Sequence, residues 1–198
     1  MNCEYRNQSK IFTDGSKTEE GVGVGVAGMR KEKALRLPDC CSVFTAEAVG
    51  IWVAITSIPP NQPTIILTDS LDCVMALEAG NSNHPFIQAI ELAASDQITI
   101  CWIPGHSQIK GNEKADKLAG LGRANTRMLF LDVPGSDIRR LAKESFLNTT
   151  RYSGLANKVT YKMSKATPVC GRTGVVRRSN AFCHAFEWVT RGSLLLII

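Results

Sequence analysis

Gly21-Val22-Gly23-Val24-Gly25-Val26-Ala27-Gly28-Met29 alternates glycine with valine. Phe44-Thr45-Ala46-Glu47-Ala48-Val49-Gly50-Ile51-Trp52-Val53-Ala54-Ile55-Thr56-Ser57-Ile58 then follows a different rhythm. The first stretch has the period of two that a strand requires, with a glycine face that admits close approach of another backbone. In the second, Phe44, Ala48, Ile51, Ile55 and Ile58 recur at helical spacing and stop at Pro59-Pro60. This change of period decides the fold class. Upstream, Gln8 to Thr13 reads as a strand ended by a turn at Asp14-Gly15-Ser16. Ala34 to Leu37 reads as a third strand, closed by Pro38. Three strands joined by short turns predict an antiparallel meander.

After the helix the pattern alternates. Thr64 to Thr68 is a compact apolar strand, followed by Asp69-Ser70 and a helix over Asp72 to Ala79. His84 to Ser95 is helical, and Ile98 to Ile103 is a strand ended by Pro104-Gly105. Asn112 to Leu121 is a helix with Ala115, Leu118 and Leu121 on one face. The order is β-β-β-α-β-α-α-β-α. A meander followed by strand–helix alternation implies an α/β fold, a mixed five-stranded sheet with flanking helices.

Composition bounds the function classes. With 198 residues, 44% of them hydrophobic, the chain is long enough to bury a core. Its 21% charged content fits neither collagen, coiled coil nor wholesale disorder. No apolar run reaches the ~18 residues of a membrane span. Met1-Asn2-Cys3-Glu4 does not open a signal peptide. The seven cysteines are odd in number, which argues against a disulfide framework or a disulfide-linked partner. Neither Cys40-Cys41 nor Cys183-His184 has spacing that suits zinc. The expected setting is a reducing one, cytoplasm or nucleus, with no membrane partner.

The net charge of +5 conceals an asymmetry. Residues 1–120 hold 10 Lys/Arg and 14 Asp/Glu, a net of −4; residues 121–198 hold 13 and 4, a net of +9. In the basic part, Gly135-Ser136 followed by Asp137 to Leu147 reads as a capped helix, near 136–147, with Arg139, Arg140 and Lys143 exposed. Beyond Asn148 the chain is rich in Ser, Thr and Gly and carries no sustained period, so loose order is expected there.

Four acids in the first part stand in suggestive places. Asp14 ends the first strand, Glu47 lies one turn into an apolar helix, Asp69 ends the apolar strand, and Asp116 follows Asn112 by four on the last helix. Taken singly, each has an ordinary reading as a turn, an N-cap or a solvated side chain. Taken together, strand ends and covering helices can bring the four to one point. Like charges that close repel unless a cation lies between them. Magnesium is the hard-oxygen choice, and two ions roughly 4 Å apart can activate water and stabilise a leaving oxygen in phosphodiester cleavage.

Ile11-Phe12-Thr13-Asp14-Gly15-Ser16, Thr45-Ala46-Glu47, Leu67-Thr68-Asp69-Ser70 and Trp102-Ile103-Pro104-Gly105-His106-Ser107, continuing to Lys110-Gly111-Asn112-Glu113-Lys114-Ala115-Asp116, resemble type 1 ribonuclease H. The flavour is that of the domain attached to reverse transcriptases of non-LTR retrotransposons. The resemblance covers about residues 8–122 and implies a ribonuclease H-like βββαβαβα catalytic domain there. Residues 123–198 then form a basic extension. It implies Asp14, Glu47, Asp69 and Asp116 as ligands of two Mg2+ ions, with Mn2+ as a substitute. The implied substrate is the RNA strand of an RNA–DNA hybrid, cut to leave a 3′-hydroxyl and a 5′-phosphate. His106 matches a loop histidine that assists proton handling or product release. Gly15, Ser16, Ser70 and Asn112 match positions that contact substrate or orient ligands. A reverse transcriptase, in cis or in trans, is the implied partner.

Two departures stand out. Gly80-Asn81-Ser82-Asn83-His84-Pro85 holds no Lys or Arg where cellular members often carry a basic insertion. Cys40-Cys41-Ser42-Val43-Phe44 replaces a polar, Asn-containing stretch. Weaker hybrid affinity in the core domain is the expectation. The basic tail either compensates with salt-sensitive phosphate contacts or is a vestigial extension without a role. The alternatives to an active hybrid endonuclease are a catalytically decayed nucleic-acid-binding or scaffold module of retroelement origin, and a nuclease or integrase with a related carboxylate fold.

Overall fold

Alternation along the Gly-Val stretch becomes a division of labour between the two faces of one strand. In the computed structural model, which describes residues 8–152, the order is β1 (Ser9–Thr18), β2 (Gly21–Ala27), β3 (Lys33–Leu37), α1 (Val43–Ile55), β4 (Thr64–Thr68), α2 (Leu71–Ala79), α3 (Pro85–Ala93), β5 (Ile98–Trp102), α4 (Lys110–Ala124) and α5 (Gly135–Tyr152). The five strands form one sheet in the order β3-β2-β1-β4-β5. β1 pairs antiparallel with β2, and β2 with β3; β1 pairs parallel with β4, and β4 with β5. The mixed sheet with covering helices is the expected fold.

Val22, Val24 and Val26 are fully buried with Ile11, Leu37, Ala46, Val49, Ile51 and Ile66 in the main core, to which α1 and α3 contribute. Gly23 and Gly25 face the other way, toward α4. A Cβ at Gly25 would stand 1.9 Å from the Ala115 carbonyl oxygen, and one at Gly23 would stand 2.1 Å from that of Ala119. Helix and strand approach more closely here than any side chain permits. Ala115, Ala119 and Gly122 are the buried small residues that α4 presents in return. The second core, Ile65, Leu67, Cys101 and Ile103 with Phe12 and Ile109, continues this face under the start of α4.

One local expectation is overturned. Asp14-Gly15-Ser16 is not a turn. β1 runs on to Thr18, with Asp14, Gly15 and Ser16 paired to Gly25, Val24 and Gly23, and the turn falls at Glu19-Glu20. The glycine is needed for packing. A Cβ at Gly15 would meet the Glu47 backbone nitrogen at 2.6 Å, so its absence lets α1 lie directly on the strand.

In the basic extension, the expected helix near 136–147 falls within α5. Its Arg139 and Lys143 are exposed, but Arg140 is half-buried, bonding Glu144 and donating to the Cys40 carbonyl oxygen at 3.1 Å. The rest of the extension, from residue 153, and the expectation of loose order there lie outside the described residues. No helix among the described residues is long and apolar enough to cross a membrane.

Candidate active site

The sheet splits where the acids gather. β1 and β4 pair in parallel as far as Thr13 and Thr68; beyond that register β1 continues alone beside β2 while β4 ends. Asp14 and Asp69 are the next residues on the two strands. Such a parting at the carboxyl ends of parallel strands leaves a crevice in which ligands bind. α1 supplies Glu47 from one side of the sheet and α4 supplies Asp116 from the other. The resulting cleft, about 270 Å³, is lined by Asp14, Gly15, Ser16, Glu47, Asp69, His106, Asn112, Glu113 and Asp116, among others.

Asp14, Glu47 and Asp69 each place a carboxylate oxygen within 4.8 Å of the others. Asp116 lines the same cleft outside this tight trio, near enough for its charge to act on Asp14. Asp14 and Glu47 are each only 8% exposed. Burial first, then the charges of Asp69 and Asp116, push the Asp14 carboxyl up to about 7, against a smaller lowering by Arg123. Burial, then Asp14 and Asp69, raise Glu47 well above the carboxylate range; a backbone hydrogen bond from Gly15 pulls the other way. The buried Glu47 Oε2 has no hydrogen-bond partner.

Asp69 is held on three sides. Its backbone carbonyl accepts from Trp102 Nε1 at 3.2 Å and from the Leu71 amide at 3.1 Å. Its Oδ2 accepts from Asn112 Nδ2 at 3.2 Å. A Cβ at Gly105 would stand 2.9 Å from that same Oδ2, so a larger residue in the loop after β5 would push on this carboxylate.

His106, at the cleft wall, is exposed and left-handed at φ 52°, as is Gln108 at φ 59°. Two non-glycine residues in that region mark a loop held in a sparsely populated conformation. Gly15 and Ser16 line the cleft, whereas Ser70 is not among its lining residues. Ser70 precedes α2, and its hydroxyl bonds the Cys73 thiol. Burial raises the Cys41 and Cys73 thiols to about 12, which keeps both protonated and unreactive at neutral pH. Two residues unmarked in the sequence join the site. Glu113 lines the cleft, and Arg123 donates to Ser16 Oγ at 2.8 Å. A helical count from Asp116 puts Arg123 two turns further along α4, on the same face, which is the signal that would have found it.

The donor set fits a hard divalent cation. Three carboxylates converge, two of them buried, with one buried oxygen unsatisfied, and the ion pairs among the described residues lie elsewhere. Compared with known families, residues 6–124 match the RNase H family model. The chain belongs to the RNase H family. Its RNase H region spans all five strands and α1 to α4, the elements that carry the four acids. Over 117 residues the chain is 32% identical to the Pol polyprotein of equine infectious anemia virus (strain Wyoming); the match covers 55% of this chain and 10% of that polyprotein. The match thus spans about a tenth of that polyprotein's length. α5 lies beyond the RNase H match.

Proposed function

We propose that this chain is a divalent-metal-dependent endonuclease that hydrolyses the RNA strand of RNA–DNA hybrids and leaves 3′-hydroxyl and 5′-phosphate ends. The observation that carries the reading is the trio Asp14, Glu47 and Asp69, within 4.8 Å of one another, inside the RNase H family match. Asp14, Glu47 and Asp69 would hold a first magnesium ion, and Asp116 with Asp14 would hold a second; manganese would serve in the same donor set. When bound, the ions supply Lewis acidity toward the scissile phosphate and lower the pKa of a coordinated water.

The chain's own residues do the rest. Asn112 orients the Asp69 carboxylate through the 3.2 Å hydrogen bond. Ser16, backed by the Arg123 guanidinium, offers a polar contact for a backbone phosphate at the cleft wall. Glu47 would also read a 2′-hydroxyl, the group that separates RNA from DNA. Water adds at phosphorus and the bond from phosphorus to the 3′-oxygen breaks, so the upstream piece keeps the hydroxyl and the downstream piece the phosphate. His106, exposed on its loop, would carry the proton that the leaving oxygen takes up.

The proposed catalytic unit contains residues 8–122. The basic residues after it would add phosphate contacts that do not depend on sequence. A retroelement setting of the non-LTR kind, with a reverse transcriptase acting in cis or in trans, is part of the same proposal; similarity to a Pol polyprotein supports it at the level of a reverse-transcribing element. A labelled hybrid incubated with the chain, with and without magnesium, tests the function. Magnesium-dependent cutting of the RNA strand alone is expected. Hybrid binding without cutting would instead indicate a decayed binding module, and cutting of duplex DNA in place of hybrid would indicate a different nuclease.

A further inference from the structure

α1 has a hydroxyl cap of its own but no negative charge at its start. Its first turn contains no acidic residue, although an N-terminal turn favours negative charge. The charge comes from α5, beyond the RNase H match. Asp137 is 3% exposed, and its Oδ2 accepts from the Ser42 backbone amide at 2.9 Å and from Thr45 Oγ1 at 2.7 Å. Ser42, the N-cap of α1, also accepts from the Thr45 amide at 3.1 Å through its own hydroxyl. Thr45 Oγ1 lies 3.0 Å from His84 Nε2 at the start of α3. A carboxylate only accepts, so the Thr45 proton goes to Asp137 and His84 donates through Nε2. Arg140, one turn on in α5, donates to the Cys40 carbonyl oxygen and closes the junction from the other side.

This junction lies two residues from Glu47. On its other side α1 has no slack, because the Glu47 backbone nitrogen occupies the space that a Cβ on Gly15 would need. The start of α1 is thus fixed between β1 and α5. We propose that Asp137 is a positioning residue for the carboxylate cleft: α5, through Asp137 and Thr45, sets the placement of Glu47, and the functional unit therefore extends through α5. The inference rests on the metal-dependent reading of the cleft.

The test uses the full chain and reads Mn2+ binding by calorimetry at a temperature where every variant is folded, alongside kcat and KM on a hybrid. Asp137→Ala is expected to weaken Mn2+ binding about tenfold, the loss typical of removing an outer partner of a metal ligand. It is also expected to lower kcat while KM for hybrid stays near that of the unaltered chain. Thr45→Val, which keeps the side-chain volume but removes the shared hydroxyl, is expected to weaken Mn2+ binding in the same direction. Asp137→Asn, whose amide oxygen still accepts from both donors, is expected to recover most of the affinity. Mn2+ affinities of Asp137→Ala and Thr45→Val equal to that of the unaltered chain, whatever their melting temperatures, would overturn the proposal. If Asp137→Ala does not fold, Thr45→Val decides by the same criterion. Failure of the unaltered chain to bind Mn2+ at all would instead count against the metal reading on which the inference rests.

Discussion

Asp14 and Asp137 are both buried acids, 8% and 3% exposed, and the molecule treats them in opposite ways. Asp137 meets an amide and a hydroxyl, one supplied by the cap of α1 and the other by its first turn. Asp14 meets two further acids, Glu47 and Asp69, and sits with them beside an orphaned carboxylate oxygen. Burial without donors raises the free energy of a charge; burial with donors offsets that cost. At the first junction the buried carboxylate is supplied with donors by the protein itself. The second is an arrangement that only a cation completes, and a protein that keeps it accepts a local loss of stability for the sake of a site.

The largest expected effect breaks the cleft. Asp69→Asn should abolish hybrid cleavage at saturating magnesium, a loss beyond the roughly 100-fold that removal of an outer partner costs, while circular dichroism shows the fold unchanged. Undiminished cutting would remove Asp69 from the chemistry. Next comes the scaffold that brings α4 and Asp116 to the cleft. Gly25→Ala drives a Cβ to 1.9 Å from the Ala115 carbonyl oxygen, an overpacking expected to cost about 3 kcal/mol in denaturant melts. Gly80→Ala is the control. That position is left-handed at φ 60° with open space around it, so a cost of only about 1 kcal/mol is expected. Equal costs at the two positions would refute the close-approach reading of the Gly face.

The glycine face shows what could be read from the chain alone. The alternation in Gly21–Ala27 and the helical spacing after Phe44 fix strand, helix and the side each presents, because those periods are properties of a single element. The four acids were legible through their settings and the motifs around them. The run Asp14-Gly15-Ser16 misled because a strand that needs glycine for close approach has the same composition as a turn; only pairing with β2 separates them. Asp137 was visible as the first turn of a helix but not as a partner of Ser42, 95 positions away, since nothing local encodes a contact of that separation. Arg123 differs: its bond to Ser16 spans 107 positions, but its place two turns after Asp116 on α4 could have been counted from the sequence.

A smaller effect sharpens the contrast through pH. Unfolded, Asp14 loses its proton near 3.8; folded, it keeps it to about 7. Its stabilising contribution is therefore complete below about pH 4 and is lost as the pH climbs through 7, and Glu47 acts in the same direction. His84, lowered by burial, works oppositely, favouring the fold as pH rises through the ordinary histidine range. The difference between the unaltered chain and Asp14→Asn isolates the acid. In melts with chelator, the variant should gain stability relative to the unaltered chain between pH 4 and 8. A difference independent of pH would contradict the raised value. The smallest effect concerns the tail. Seven Lys and Arg follow residue 152, so the full chain should lose hybrid affinity with salt more steeply than a chain ending at 152. Equal salt slopes would leave the tail without a role in binding.

The most direct test is calorimetric titration of magnesium into the chain near pH 6.5, repeated in buffers of different ionisation enthalpy. Acids that hold protons when free must release them to bind a cation. The account predicts saturable binding with net proton release, and a smaller release in Asp14→Asn. Binding without proton release, or no binding, would contradict the claim that these carboxylates form a cation site.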